Sequence, residues 1–214
     1  SNYHIITTVL ALGSMTLSDS LAAVVSESIN KVIENGTMVI IAAGNYGVGN
    51  NRINKIAMNS KAIVVGSVND LNQLTYYTAE GKVLSNGNIK PDILAPGGSY
   101  LAGRRMIQTY DSNNVEPNGT IGSELIANDT TFVVGTSVSA AIVSGIYQSL
   151  FESFGNWSDF QISEELILTI KAAILATASE TNSLREDNLI TGYNEANNSP
   201  ILNRIGKDIH EGYG

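Results

Sequence analysis

The sequence predicts an α/β domain built on a mainly parallel sheet with helices on its faces. Three observations carry this. Residues 4–13, "HIITTVLALG", and 37–44, "TMVIIAAG", are short β-branched runs apolar at successive positions. Such runs suit strands buried on both faces, which parallel sheets require. Between them lies a helical pattern, 17–36, so strand, helix and strand follow one another closely enough for a right-handed βαβ unit. A third run of the same kind, "AIVVGSVND", begins at Ala62.

The first helix has Ser18 as its N-cap and Gly36 just past its end. Leu21, Val24, Val25, Ile29, Val32 and Ile33 fall on one helical face, which predicts the buried side. "NYGVGNNRINKIAMNS", 45–60, is a Gly- and Asn-rich loop. Residues 71–98 are turn-rich, with short strands expected around Tyr76 and Ile93, and Asp92 reads as a turn or loop residue. Residues 98–130 are polar and loop-like. A short strand at 131–134 leads into a helix beginning near Ser137. Its apolar or small positions Val138, Ala141, Ile142, Gly145, Ile146 and Leu150 have helical spacing. A further helix spans about 163–179, with Ile167, Ile170, Ile174 and Ala178 along one side and the adjacent carboxylates Glu164 and Glu165 in its first turn. With no repeat and no low-complexity linker, residues 1–214 read as one domain.

Composition narrows the chemistry. Of 214 residues 43% are hydrophobic and 15% charged, which is globular rather than disordered. The net charge of −8 and the scattered Lys and Arg argue against nucleic acid as a partner. Absence of cysteine excludes thiol catalysis and thiolate metal sites. No apolar run reaches the roughly 18 residues of a membrane span. The histidines and carboxylates show no metal-ligand spacing, so no metal and no cofactor are expected from the residues.

Two residues stand where chemistry could occur. Ser137, in Gly135-Thr136-Ser137, opens a helix, where free N–H groups and the helix dipole favour an adjacent oxyanion. A serine there is equally an ordinary N-cap. Asn45 directly follows a buried strand, where its amide could stabilise developing negative charge or merely fill a turn. The same loop, "GNYGVGN", with Asp70 about 20 residues on, has the layout of a dinucleotide site. Its glycines are spaced G-x-x-G-x-G, however, and no amphipathic helix follows to bind phosphate. An α/β-hydrolase would need G-x-S-x-G, which the serine lacks.

Six segments in order resemble the subtilisin family of serine peptidases, the subtilases. "GTMVIIAAGN" resembles the strand ending in that family's oxyanion-hole asparagine, and "AIVVGSVND" the strand after it. "KPDILAPGG" resembles the K-P-D-[IV]-x-A-P-G turn, and "GTSVSAAIVSG" the segment carrying the catalytic serine. "VLALGS" and "HEGYG" are weaker echoes of a cleft-wall strand and of the segment near the domain's end. The resemblance implies a three-layer subtilisin-like fold. It implies Ser137 as nucleophile, Asn45 and the Ser137 N–H as oxyanion donors, and Ala11, Leu12 and Gly13 as residues pairing with an extended substrate. Ala42, Ala43 and Gly44 would line the pocket for the residue before the scissile bond, with Thr136 also contacting substrate. Small residues there imply room for a large apolar side chain and broad specificity. Calcium enters only through the resemblance, as does an extracellular or cell-envelope location.

Two departures accompany it. Ala141 and Ile142 stand where the family usually has Pro and His. More consequentially, the family's D-[ST]-G and H-G-[ST] segments are absent, and the two histidines, His4 and His210, are not followed by Gly. The expected function is therefore a serine endopeptidase of which these residues form the C-terminal larger part of the catalytic domain, inactive alone for want of a base. The alternative is a non-catalytic subtilase-like binding or assembly module. The expected partners are a peptide or protein substrate, the N-terminal part of the same domain, and further copies of the chain meeting through uncovered apolar surface.

Overall fold

A computed structural model describes residues 5–49, 52–110, 130–153, 162–181, 185–186 and 207–214. Strand β1 (Thr7–Leu10), helix α1 (Asp19–Glu34) and strand β2 (Met38–Ala42) form the expected βαβ unit. The Ser18 hydroxyl accepts from the Leu21 N–H, capping α1. Gly36 takes φ +87°, a backbone state that spares it the Cβ penalty of other residues. β3 (Ile63–Val68) and β6 (Ile93–Pro96) complete a four-stranded parallel sheet in the order β1-β2-β3-β6, with Thr7 beside Met38, Ile40 beside Ile63 and Val65 beside Ile93. Every residue of β2 and β3 is buried, as strands covered on both faces must be. Between β3 and β6 lies a small hairpin of β4 (Lys82–Val83) and β5 (Ile89–Lys90).

Several local expectations are corrected. No strand forms at Tyr76; that stretch is turns, with Leu74 in two isolated bridges, to Val68 and to Arg185. Within the segment expected to be loop, β7 (Ile107–Tyr110) pairs antiparallel with β8 (Thr130–Val133). Residues 107–110 alternate too briefly for the pattern to stand out.

Helix α2 (Thr136–Ser153) packs across all four strands of the sheet, while α1 packs on β2 and on a 3-10 turn at Lys55–Met58. Helix α3 (Glu164–Ala176), capped by Ser163, touches both other helices and buries Ile167, Ile170 and Ile174 as expected. The apolar faces of α1 and α2 do not match expectation. In α1, Ile29 and Ile33 are buried, but Leu21, Val24 and Val32 are exposed. In α2 the buried stripe is Ala140, Val143, Tyr147 and Phe151, and the stripe containing Ala141, Gly145 and Ile146 faces outward. Both helices are apolar over more of their circumference than this sheet can cover.

Asp92 is not a loop residue on the surface. It is 2% exposed and meets three lysines. Lys90, itself fully buried, pairs with its Oδ2, and Lys207 reaches Oδ1 at 3.1 Å. The Val64 N–H also donates to Oδ2. Lys171 from α3 donates to the carbonyls of Ser60, Lys61 and Ala62 at 3.2, 2.9 and 2.9 Å and adds positive charge nearby. Burial opposes the Asp92 charge, but the lysines outweigh it and hold the carboxyl below the usual carboxylate range. Burial brings Lys90 down to about 8, against the pull of Asp92. The cluster joins β3, β6, α3 and the 207–214 segment.

Asp92→Asn removes the one carboxylate among three ammonium groups and should cost about 3–5 kcal/mol in urea denaturation at neutral pH. Because the folded pKa of Asp92 is depressed, its contribution is present above the ordinary value of 3.8 and lost as pH falls through the lower folded value. The native chain should therefore lose stability on acidification more steeply than the variant.

Candidate active site

The site lies beyond the carboxyl ends of the parallel strands. β1 and β2 run side by side as far as Leu10 and Ile41, and the segments expected to wall a cleft, Ala11–Gly13 and Ala42–Gly44, follow directly from these positions. Ala42 and Ala43 are buried, Gly44 is partly so, and Ala11, Leu12 and Gly13 are exposed. Helix α2 starts between these ends. Gly135, at φ +141°, makes the turn from β8 into the helix, and a Cβ there would come within 3.2 Å of Asn45 Nδ2.

The first residues of α2 are tied to different strand ends. The Gly135 N–H donates to Gly97 O at 3.0 Å and to the Tyr77 hydroxyl at 3.1 Å. Thr136 donates twice to Asn45 Oδ1, from its N–H and its hydroxyl, both at 2.9 Å, and accepts from the Gly44 N–H at 3.2 Å. Ser137 donates to Ala11 O at 3.1 Å, and Ser139 to Ala95 O at 2.9 Å. The sequence segment therefore folds onto β1, β2 and β6 at once.

This geometry orients Asn45. With Oδ1 occupied by Thr136, its NH2 has no hydrogen bond to the described residues. The Ser137 N–H belongs to the first turn of α2, whose donors lack intrahelical partners. Ser137, Asn45, Thr136 and both walls are thus brought together. The Ser137 hydroxyl makes its single hydrogen bond among the described residues to a carbonyl, which is no base. His4 lies outside the described residues. His210 sits at the other end of β6: its segment is held by Tyr213 N–H to Asp92 O and by Leu94 N–H to Gly214 O, whereas Ser137 lies past Pro96.

Two supporting residues escaped the sequence reading. Tyr77 is buried beneath the turn into α2. Its hydroxyl meets Ser67 Oγ at 2.8 Å, Gly98 O at 2.7 Å and Gly97 O at 3.0 Å besides accepting from Gly135. Burial pushes its phenol up to about 12, so it stays neutral and able to donate. Gly97 has to be glycine: a Cβ would lie 2.1 Å from Ser67 Oγ and 2.8 Å from the Tyr77 hydroxyl. Asn54 is fully buried between the two walls. A tyrosine in a turn and an asparagine in an Asn-rich loop give no periodic signal.

The nucleotide reading fails on structure as well. After the loop comes a four-residue 3-10 turn, not an α-helix, and Asp70 contacts the Arg105 main chain. Among the described residues no His, Asp and Glu cluster could hold a metal ion, and no helix is long and apolar enough to cross a membrane.

Comparison with known proteins bears on the family and the fold. The sequence model of the subtilase family matches residues 8–206. The "Major intracellular serine protease" of Bacillus subtilis (strain 168) is 30% identical over 122 residues, 56% of this chain and 30% of that protein. The match thus spans less than a third of this curated relative. A lanthipeptide protease superposes with a TM-score of 0.68 at 18% identity, covering 97% of this chain and 58% of its own. A psychrophilic protease gives 0.57 at 17% identity, with 97% and 55% covered. At such identities the likeness is one of fold, and it bears out the subtilisin-like α/β architecture. The expected extracellular or cell-envelope location is overturned, because an intracellular protease is among the relatives and family membership therefore carries no such address.

Tyr77→Phe leaves the Gly97 and Gly98 carbonyls and Ser67 without the phenolic partner in a buried place. Thermal or urea unfolding should show a loss of about 1–3 kcal/mol. Amide exchange at Gly135 should quicken even where the global loss is small.

Proposed function

The chain belongs to the subtilase family, and on that premise we propose that it supplies the nucleophile and the oxyanion site of a serine endopeptidase. The observation that carries this is the Asn45 amide, whose oxygen Thr136 pins so that its NH2 is left for a ligand. A turn asparagine needs no such arrangement, nor does a module that only binds or assembles.

Ser137 Oγ would attack the carbonyl carbon of the scissile peptide, giving its proton to a base. The carbonyl oxygen, now anionic, would take hydrogen bonds from Asn45 and the Ser137 N–H, donors placed before charge develops. Collapse expels the amine and leaves an acyl-serine, which water cleaves by the same route. Ala11–Gly13 would hold the extended peptide, and Thr136 and Ala42–Gly44 would border the side chain preceding the bond. The Ser137–Ala11 hydrogen bond is then a resting contact, exchanged for one to the base.

The base would come from a segment outside these 214 residues. Support comes from β1, whose outer edge is unpaired among the described residues. Ile5 and Leu12 at its ends are 69% and 64% exposed, and Val24 of α1 and Ile146 of α2 are 64% and 48% exposed. Exposed apolar surface and an open strand edge are what further strands and helices of the same domain would cover. Without them, copies of the chain should associate through it.

A fluorophosphonate probe should leave Ser137 unlabelled in the isolated chain and label it once the base-bearing segment is present. Labelling of the isolated chain would mean that the base lies within it. In the completed enzyme Asn45→Ala should lower kcat about 10²–10³-fold, a magnitude measured in subtilisin, itself of this family. Light scattering of the isolated chain should show species larger than the 22.7 kDa monomer.

A further inference from the structure

Residues 74–80 run between the loop that carries Asn45 and the turn that leads to Ser137, and they touch both. The Ala79 N–H donates to Gly44 O at 3.0 Å, the Gly47 N–H to Tyr77 O at 2.8 Å and the Glu80 N–H to Gly47 O at 3.0 Å, which fixes the loop on either side of Asn45. The Tyr77 hydroxyl accepts from the Gly135 N–H at 3.1 Å, one residue before Thr136. The spacing of the two proposed oxyanion donors, the Asn45 amide and the Ser137 N–H, therefore depends on where this one segment lies.

The segment is turns rather than strand, and a dipeptide 110 positions further along braces it. Arg185 and Glu186 are 0% and 4% exposed, unusual burial for two ionisable side chains. Arg185 bridges Leu74 in parallel, and the Glu186 N–H donates to Leu74 O at 2.9 Å. Arg185 Nη1 donates to Thr75 O at 3.1 Å and to Thr78 O at 2.7 Å, so the guanidinium brackets Tyr76 and Tyr77. Glu186 Oε2 accepts from the Tyr76 N–H at 3.1 Å and the Ser99 hydroxyl at 2.9 Å, and Oε1 accepts from Asn69 Nδ2 at 2.7 Å. Ser99 follows Gly97 and Gly98, whose carbonyls receive the Tyr77 hydroxyl. One carboxylate oxygen thus joins the same two stretches of chain, 76–77 and 97–99, that the phenol joins. Aliphatic side chains of similar volume often stabilise a core as well as buried ionic groups do. What the charged pair adds is direction, because each hydrogen bond selects a particular carbonyl or N–H of the segment.

We propose that Arg185 and Glu186 are positioning residues for the reaction: by bracing residues 74–80 they hold the Asn45 amide and the Ser137 N–H at the spacing that receives the developing oxyanion. This rests on the endopeptidase reading. Both residues act through Tyr77 and through the backbone bonds to Gly44 and Gly47, rather than on the substrate. Their effect belongs to turnover, because the oxyanion forms only in the transition state.

The test uses the enzyme completed with its base-bearing segment, a peptide p-nitroanilide, and the variants Glu186→Ala, Glu186→Gln and Arg185→Met. Glu186→Gln keeps the volume but puts an NH2 where three donors converge. In each variant kcat should fall at least about tenfold, since misplacing groups by roughly 1 Å can cost on the order of 10²-fold. KM should stay within about threefold, as expected when a transition-state interaction is lost. In an Asn45→Ala background the same Glu186→Ala change should cost several-fold less, because one of the donors it places is already gone. Amide exchange at Gly47 and Gly135 should quicken more than at Ile40 in β2. Should Glu186→Ala fail to fold, Glu186→Gln carries the same comparisons. A folded variant with native kcat, or an equal fold-loss with and without Asn45, would overturn this proposal alone. Absence of any hydrolysis sensitive to Ser137→Ala in the completed enzyme would overturn the endopeptidase reading and this inference together.

Discussion

Everything at the site depends on the pair of hydrogen bonds from Thr136 to Asn45 Oδ1. An exposed amide can turn about its side-chain torsions and present either end. Two donors on one oxygen remove that freedom and decide which end faces the cleft. The bonds need the start of α2 to sit against the end of β2, and that follows from the sheet. β2 and β3 are buried along their whole length, so α2 can lie flat across them with Ala140 and Val143 inward. Small residues at that contact bring helix and strands close, and the turn at Gly135 supplies the change of direction. The site is a consequence of packing a helix tightly onto a parallel sheet.

The opposite end of β6 is fixed by charge rather than by close packing. A lone Asp92 at 2% exposure would be prohibitively unfavourable, and so would a lone buried Lys90. Together they are tolerated because Ala62 O, the Val64 N–H and Lys207 satisfy the remaining groups. Lys207 also lies 4.6 Å from the Tyr213 ring centre, which ties the 207–214 segment to the same place. Such a cluster adds less net stability than an apolar core of equal volume. It does require α3, β3, β6 and the 207–214 segment to meet in one register, which a set of aliphatic side chains would leave freer.

Local patterns made much of this visible in the sequence. β-branched runs located β1, β2 and β3, and capping residues located the ends of α1, because those signals act within a few residues. Ser137 and Asn45 were visible as candidates, each with an ordinary structural explanation beside it. What stayed hidden needed distant partners. Asp92 looked like a turn residue because Lys207 lies 115 positions away. Asn54 looked like one more loop asparagine because the carbonyls it joins belong to two other segments. The buried side of α2 was misjudged for a related reason: a helix apolar on most of its surface has no unique inner face until its neighbours are known.

The outward apolar face of α2 has a neighbour of the same kind. The outward stripe of α2 and the ends of β1 are separate in sequence, yet both are apolar and exposed, and α2 packs on β1, the edge strand of the sheet. Thr7 and Ser144 touch across this boundary at 2.8 Å, which places the α2 stripe beside β1 rather than elsewhere on the sheet. Ser137 meets the same strand through Ala11. Chance exposure of single hydrophobic residues is common, but here exposed apolar residues of two elements that pack together lie on the same strand that Ser137 meets. A sheet continued past β1 would bury the stripe, cap the strand's free hydrogen-bonding groups and bring new side chains to Ser137 in the same step. On the proposed reading, completing the core and completing the chemistry are one requirement, since β1 has no outer partner among the described residues and Ser137 lies at its end.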